Sequence, residues 1–204
     1  MQCSGYFFQS QSKKNMKYII LCAFAAMPVR TVINPAPGVG NADVKVLGTS
    51  NLHNWSMEDK DVACSVQFMY DPGKTLPVSL AAFTFAFPVH NLKSESSGMD
   101  SKAYDAMKAK SQGKIAFAAS YSKIIPGANG QFTVNSSGNL TIAGVTKPVA
   151  LTAACSVKAD GTITCAGTYG LRMSDYQIKP PTYMLGALRT GNKLTIDFAM
   201  TVRK

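Results

Sequence analysis

Residues 149–171 read VALTAACSVKADGTITCAGTYGL. In an extended strand, alternate side chains point to opposite faces. Val149, Leu151, Ala153, Cys155 and Val157 then share one face of a first strand. Ile163, Cys165, Gly167, Tyr169 and Leu171 share one face of a second. Between them lies Ala159-Asp160-Gly161, and a three-residue hairpin loop commonly ends with a glycine in the left-handed region. That loop sets Val157 against Ile163, Cys155 against Cys165 and Leu151 against Tyr169. Each apolar residue meets an apolar partner, so the register supports itself. Cys155 and Cys165 stand opposite each other, either as a cross-strand disulfide or as two small buried thiols.

The same alternation recurs on both sides of this hairpin. Val62, Cys64, Val66, Phe68 and Tyr70 share a face, as do Phe83, Phe85 and Phe87 in LAAFTFAFPV (80–89). Ile115, Phe117, Ala119 and Tyr121 form another set, and Leu194, Ile196, Phe198, Met200 and Val202 form the last. Phe132 and Val134 precede a turn expected at NSSGN, 135–139, and Leu140 and Ile142 follow it. With an opening strand from Val44 to about Trp55, the count is eight strands. Short polar turns between neighbours point to antiparallel pairing.

Two segments break the rhythm. Residues 98–113, GMDSKAYDAMKAKSQG, carry Met99, Ala103 and Met107 at four-residue spacing, an amphipathic helix starting near Asp100 and ending at Gly113. Residues 172–192 contain Pro180-Pro181, which bars regular helix or a central strand, and read as a lid. Eight meandering strands and one inserted α-helix predict an all-β, closed antiparallel barrel, since closure removes exposed edges. A two-sheet sandwich would bury the same residues.

The N-terminus has a different composition. Lys13, Lys14 and Lys17 precede the apolar run YIILCAFAAM (18–27), and a Pro- and Gly-rich passage ends at Ala42. This is the layout of a secretory signal, and the run is too short to span a bilayer. The expected organisation is a start at Met16, cleavage after Ala42 and a mature domain of 43–204. Residues 1–42 hold four basic residues and no acidic one, so their removal lowers the net charge from +10 to +6. The basic residues are scattered, which argues against nucleic-acid binding. Export implies a periplasmic or secreted protein, where a disulfide persists. Transient contact with a membrane and a homodimer are both compatible with the sequence.

Composition excludes less about chemistry than motifs do. His53 and His90 are the only histidines, and no spacing joins them to Cys64 as a metal site. There is no GxSxG, HExxH or phosphate loop, so no enzyme, cofactor or catalytic residue is expected. Asp175 reads as a turn-capping residue. The inward faces hold Phe68, Phe83, Phe85, Phe87, Phe117, Tyr121, Tyr169 and Phe198, interleaved with small residues such as Ala119, Ala153 and Gly167. Such a set either interlocks as a sealed core or lines a lumen. If it lines a lumen, these eight bind an apolar ligand, and Tyr176, Tyr183 and Met184 cover one end.

Four passages carry a family resemblance: GTSNLHNWSM (48–57), MDSKAYDAM (99–107) followed by KIAF, LTIAGVTKPVAL (140–151) and SDYQIKPPTYMLGALRTGN (174–192). Together they resemble the YceI-like lipid- and polyisoprenoid-binding family, in particular its exported members in Bacteroidetes-type bacteria. The resemblance covers about 44–203. It departs from the family pattern at Asn54, where relatives often carry Asp, and in the Cys155/Cys165 pair. The resemblance implies a lipocalin-like barrel with an inserted helix and an elongated apolar interior. It also implies an isoprenoid ligand, such as a polyprenyl or quinone tail, and a carrier role in the periplasm. The other readings are a filled barrel that binds a partner through 172–192, and a lipid-modifying enzyme.

Overall fold

The computed structural model describes residues 38–203. The expected signal segment, up to residue 37, lies outside them. Eight long strands form one closed antiparallel barrel: β1 (Gly38–Ser50), β2 (Asn54–Met69), β3 (Ser79–Pro88), β4 (Lys114–Pro126), β5 (Gln131–Ile142), β6 (Val145–Val157), β7 (Ile163–Arg172) and, after a two-residue strand β8 (Thr182–Tyr183), β9 (Leu188–Val202). Neighbours in sequence pair from β1 to β7; β7 then pairs with β9, and β9 with β1, which closes the ring. One helix, α1 (Ser97–Ala106), is inserted between β3 and β4.

The β6–β7 hairpin takes the register its sequence dictates. Cys155 pairs with Cys165 and Val157 with Ile163, Gly161 is left-handed at φ +82°, and a disulfide joins the two cysteines. The ladder stops at Ala154, so Leu151 and Tyr169 are not paired. The expected turn at 135–139 is absent. Those residues continue β5, and the chain reverses instead at Ala143-Gly144, where both φ angles are positive (+51° and +78°) as a tight hairpin turn requires. The helix is shorter than expected: Met107 caps it and Lys108 turns left-handed at φ +55°. Asp100 does favour the N-terminus, where its Oδ1 accepts from Ser94 N and Ser94 Oγ at 2.7 and 2.6 Å.

β1 begins at Gly38, upstream of the expected cleavage after Ala42. Gly38–Ala42 pair with Val66–Val62 of β2, and Gly40–Ala42 with Val202–Met200 of β9. Gly40 is held close by this double pairing: a Cβ there would meet Thr201 O at 2.8 Å and Cys64 Sγ at 2.9 Å.

The buried side chains form two clusters. One includes Met57, Val62, Phe87, Leu171, Met173 and Tyr176. The other includes Cys64, Val66, Phe68, Phe132, Cys165 and Val202. Phe83 and Phe85 pack against both.

Candidate functional site

Between these clusters the barrel holds a cavity of about 620 Å³, within the range of about 300–1,000 Å³ seen for small-molecule sites. Among the described residues its wall carries no Asp, Glu, Lys or Arg, and one histidine, His53. Apolar alternation alone cannot decide between cavity and core, because both bury the same face.

β3 positions the central aromatic group. A bulge opposite Gln67 and Phe68 puts Leu80 and Phe83 on the same side although they are three residues apart. Phe83, Phe85 and Phe87 then line the lumen. Their ring centroids lie 6.0 Å apart for Phe83–Phe85 and 6.2 Å for Phe85–Phe87. Phe87 is buried, while Phe83 and Phe85 are only half-buried, because one ring face meets the cavity. Phe68, Tyr169, Tyr176, Tyr183 and Phe198 also line it.

Three expected ligand-binding residues stand elsewhere. Phe117 is buried behind the wall, its ring 5.5 Å from both Phe83 and Phe85, so it supports them instead of meeting the cavity. Gly138 makes room for that ring; a Cβ there would approach Phe117 to 2.8 Å. Tyr121 is 64% exposed and lies outside the barrel. The β4–β5 register slips between Ala119 and Tyr121, and one extra residue inverts the alternation. Beyond the bulge Ser122 and Ile124 turn inward and Tyr121 turns out. Met184 is 82% exposed and also lies outside the cavity wall. It sits in a short turn at φ +50°, followed by Leu185 at +55° and Gly186 at +93°, which carries its side chain away from the barrel.

Residues 172–192 are less of a lid than the prolines suggested. Leu188–Asn192 begin β9, and Met173–Tyr176 form one 3-10 turn closed by Gln177 at φ +56°. Ile178 N donates back to Met173 O at 3.0 Å. This turn aims Met173, Tyr176 and Ile178 into the barrel, and all three are buried. Asn192 holds it from β9, accepting from Ser174 N at 3.0 Å and donating to Ser174 Oγ at 2.9 Å.

The cavity reaches solvent where its wall includes the exposed residues His53, Ser96 and Gly98. The 50–53 turn and the 181–190 segment meet there. Asn51 Nδ2 donates to Ala187 O at 2.9 Å, and Asn51 Oδ1 accepts from Arg189 N at 2.8 Å. Trp55 forms part of the same wall; its Nε1 donates to Thr49 O at 3.0 Å, and its ring lies against Gly48, where a Cβ would clash with it. Met99, Ala103, Ala106 and Met107 of α1 face the lumen, so the apolar helix stripe is wall as well as packing. Leu194, Ile196 and Met200 line it too, as β9 alternation implies.

Polar groups in the wall are few. Ser136 bonds Ser122 Oγ at 2.7 Å. Burial, followed by the neighbouring Tyr169 and Asp175, pushes the Tyr176 phenol up to about 12. Burial also raises Tyr169, Tyr183 and the free Cys64 thiol. Among the described residues no group of three His, Cys, Asp or Glu is placed to hold a metal.

Comparison with known proteins fits this geometry. The family model described as a YceI-like domain matches residues 42–202. No curated protein sequence matches. Among solved structures, BcnA of Burkholderia cenocepacia superposes with a TM-score of 0.63 at 17% identity, covering 79% of this chain and 96% of its own. A polyisoprenoid-binding domain from Saccharophagus degradans, implicated in plant cell wall breakdown, gives 0.61 at 8% identity, with coverage of 82% and 98%. The YceI protein of Campylobacter jejuni gives 0.53 at 20% identity, with coverage of 72% and 83%.

Proposed function

The chain belongs to the YceI-like domain family, and we propose that it is a carrier, not an enzyme, that holds an isoprenoid or similar apolar lipid, such as a polyprenyl or quinone tail, inside its barrel. The observation that carries this reading is the uncharged cavity of about 620 Å³. Each methylene moved from water into such a wall contributes about 0.8 kcal/mol, so a long chain binds without any ion pair. A filled barrel finds no support in a lumen of this size.

The N-terminal basic and apolar sequence supports export to the periplasm or beyond, with the cut upstream of Gly38 so that β1 stays whole. Transient membrane contact is supported by the opening itself. Leu52, Met184 and Leu185 are 75%, 82% and 110% exposed, beside the Asn51–Arg189 bonds that tie the two loops. Holding Met184 and Leu185 in the left-handed region costs roughly 1–3 kcal/mol each, and the result is two apolar side chains raised next to the entrance. Such side chains suit shallow insertion into a lipid surface.

Native mass spectrometry of the protein, exported with its own N-terminus, tests the carrier reading. A discrete added mass lost on organic extraction is expected. No adduct, together with no uptake of polyprenyl or quinone analogues, refutes it. Replacing Leu185 with Asp is expected to reduce co-sedimentation with anionic phospholipid vesicles while leaving uptake of detergent-dispersed lipid intact.

A further inference from the structure

The cavity is open at one end and blind at the other. On four strands the last wall residue is followed, two positions nearer the β6–β7 turn, by a buried residue outside the wall: Phe68 by Tyr70, Val134 by Phe132, Cys165 by Ile163 and Met200 by Val202. The lumen therefore stops at one level around this part of the ring. Phe68 is the bulkiest residue at that level, and the ring of Phe132 backs it edge-on, with 6.0 Å between centroids. Ser50, His53, Ser96 and Thr190 are at the other end, where the wall reaches solvent.

We propose that this blind lumen takes one isoprenoid chain, tail first, and encloses no more than about five isoprene units, with Phe68 as the floor that sets the limit. This rests on the carrier reading above and adds to it a length. A cavity of about 150 Å³ holds the six carbons of benzene, so each carbon takes about 25 Å³ and a lumen of about 620 Å³ takes about 25 carbons. The shape agrees. The wall follows β2 from Trp55 to Phe68, thirteen residues, and at about 3.3 Å per residue with a strand tilt of about 40° that is about 30 Å. Such a volume drawn out over such a length suits one chain laid along the axis, not two side by side. The polar end of the ligand stays at the opening, because the deep wall is apolar apart from Ser136, whose hydroxyl is already bonded to Ser122. A chain longer than the lumen leaves its surplus carbons in water.

Delivery from a bilayer reads this limit directly. A carbon that moves from membrane to lumen stays in apolar surroundings, whereas each carbon left in water lowers occupancy about fourfold. The protein, exported with its own N-terminus and stripped of lipid, is incubated with phosphatidylcholine vesicles holding equal amounts of all-trans prenols of four, five, six and nine isoprene units. It is then separated from the vesicles, and its lipid is extracted and quantified by mass spectrometry. The four- and five-unit prenols are expected on the protein, with the nine-unit prenol at least a hundredfold below the five-unit one. Equal loading of the five- and nine-unit prenols overturns the length limit while the carrier reading stands. If no prenol is carried, the carrier reading fails and the limit fails with it. Two variants then locate the floor. Phe68→Ala frees room for about one more unit, so the ratio of six-unit to five-unit prenol is expected to rise at least tenfold. Tyr183→Ala removes a ring from the wall beside the opening and is expected to leave that ratio unchanged. A folded Phe68→Ala protein with the original ratio, or an equal rise in Tyr183→Ala, overturns Phe68 as the floor. The cut-off in the unaltered protein needs neither variant.

Discussion

Replacing Ala153 with Phe separates a lumen from a core. Ala153 is in the cavity wall on β6, opposite Val134. The substitution adds one phenyl ring. A cavity of about 150 Å³ accommodates benzene, so the ring takes up about a quarter of the 620 Å³ present. In an empty lumen the ring enters without displacing its neighbours, and unfolding free energy should change by less than about 1 kcal/mol. In a close-packed core the same addition costs about 1–3 kcal/mol. A ligand that fills the lumen loses room for about five methylenes, about 4 kcal/mol at 0.8 each, or roughly a thousandfold. A flexible chain that shifts toward the opening recovers part of this, so at least a tenfold loss is expected. Urea unfolding gives the first number. Titration with a polyprenyl analogue, followed by the emission of Trp55, gives the second. Destabilisation above 1 kcal/mol with unchanged binding would refute the assignment of this region as a ligand cavity.

Three further outcomes follow from other parts of the barrel. Deleting residues 1–42 should lower stability by at least about 2 kcal/mol relative to deleting 1–37, because Gly38–Ala42 bond two strands and cover Cys64, Val66 and Val202; equal urea midpoints would show that this part of β1 is dispensable. Converting Cys155 and Cys165 to Ala opens a loop of sequence separation 10, and chain entropy gives a loss of about 2.5–3 kcal/mol; an unaltered midpoint under non-reducing conditions contradicts it. Raising the pH from about 10 to about 12 should reduce stability, by up to about 2–3 kcal/mol from Tyr176. The fold holds this phenol protonated while the unfolded chain releases its proton, so the folded state binds more protons in that window and none of the loss occurs below it. Tyr70, Tyr169 and Tyr183 shift in the same direction, so Tyr176→Phe should flatten most of the decline and not all of it; an unchanged slope refutes the assignment.

How far the sequence could be read varied with the range of the interaction. The 149–171 hairpin was legible to the residue pair near its turn, from Val157–Ile163 to Cys155–Cys165, because its loop length, its glycine and its facing side chains all lie within 23 residues, whereas the end of the ladder at Ala154, which leaves Leu151 and Tyr169 unpaired, was not. The wall residues of β3 and β9 were legible for the same reason. Tyr121 was misplaced because a bulge is a feature of two strands: nothing in KIAFAASYSK marks Ser120 as the extra residue, and only the register against β5 reveals it. NSSGN looks like a turn, yet Asn135–Asn139 find partners in Thr152–Pro148 and stay extended. Phe117 pointed inward as expected but stands one layer behind the cavity, which alternation cannot distinguish from a place on its surface.

Period-two patterning and turn chemistry are local, so the amino-acid sequence alone determined an antiparallel all-β fold and the inward faces of its regular strands, while its four motif passages pointed to the family. Whether those faces meet depends on the distance across the ring, set jointly by strand number, register and bulges from β1 to β9. Only the tertiary structure therefore decided that Phe83, Phe85 and Phe87 line open space and that Phe117, Tyr121 and Met184 stand outside its wall.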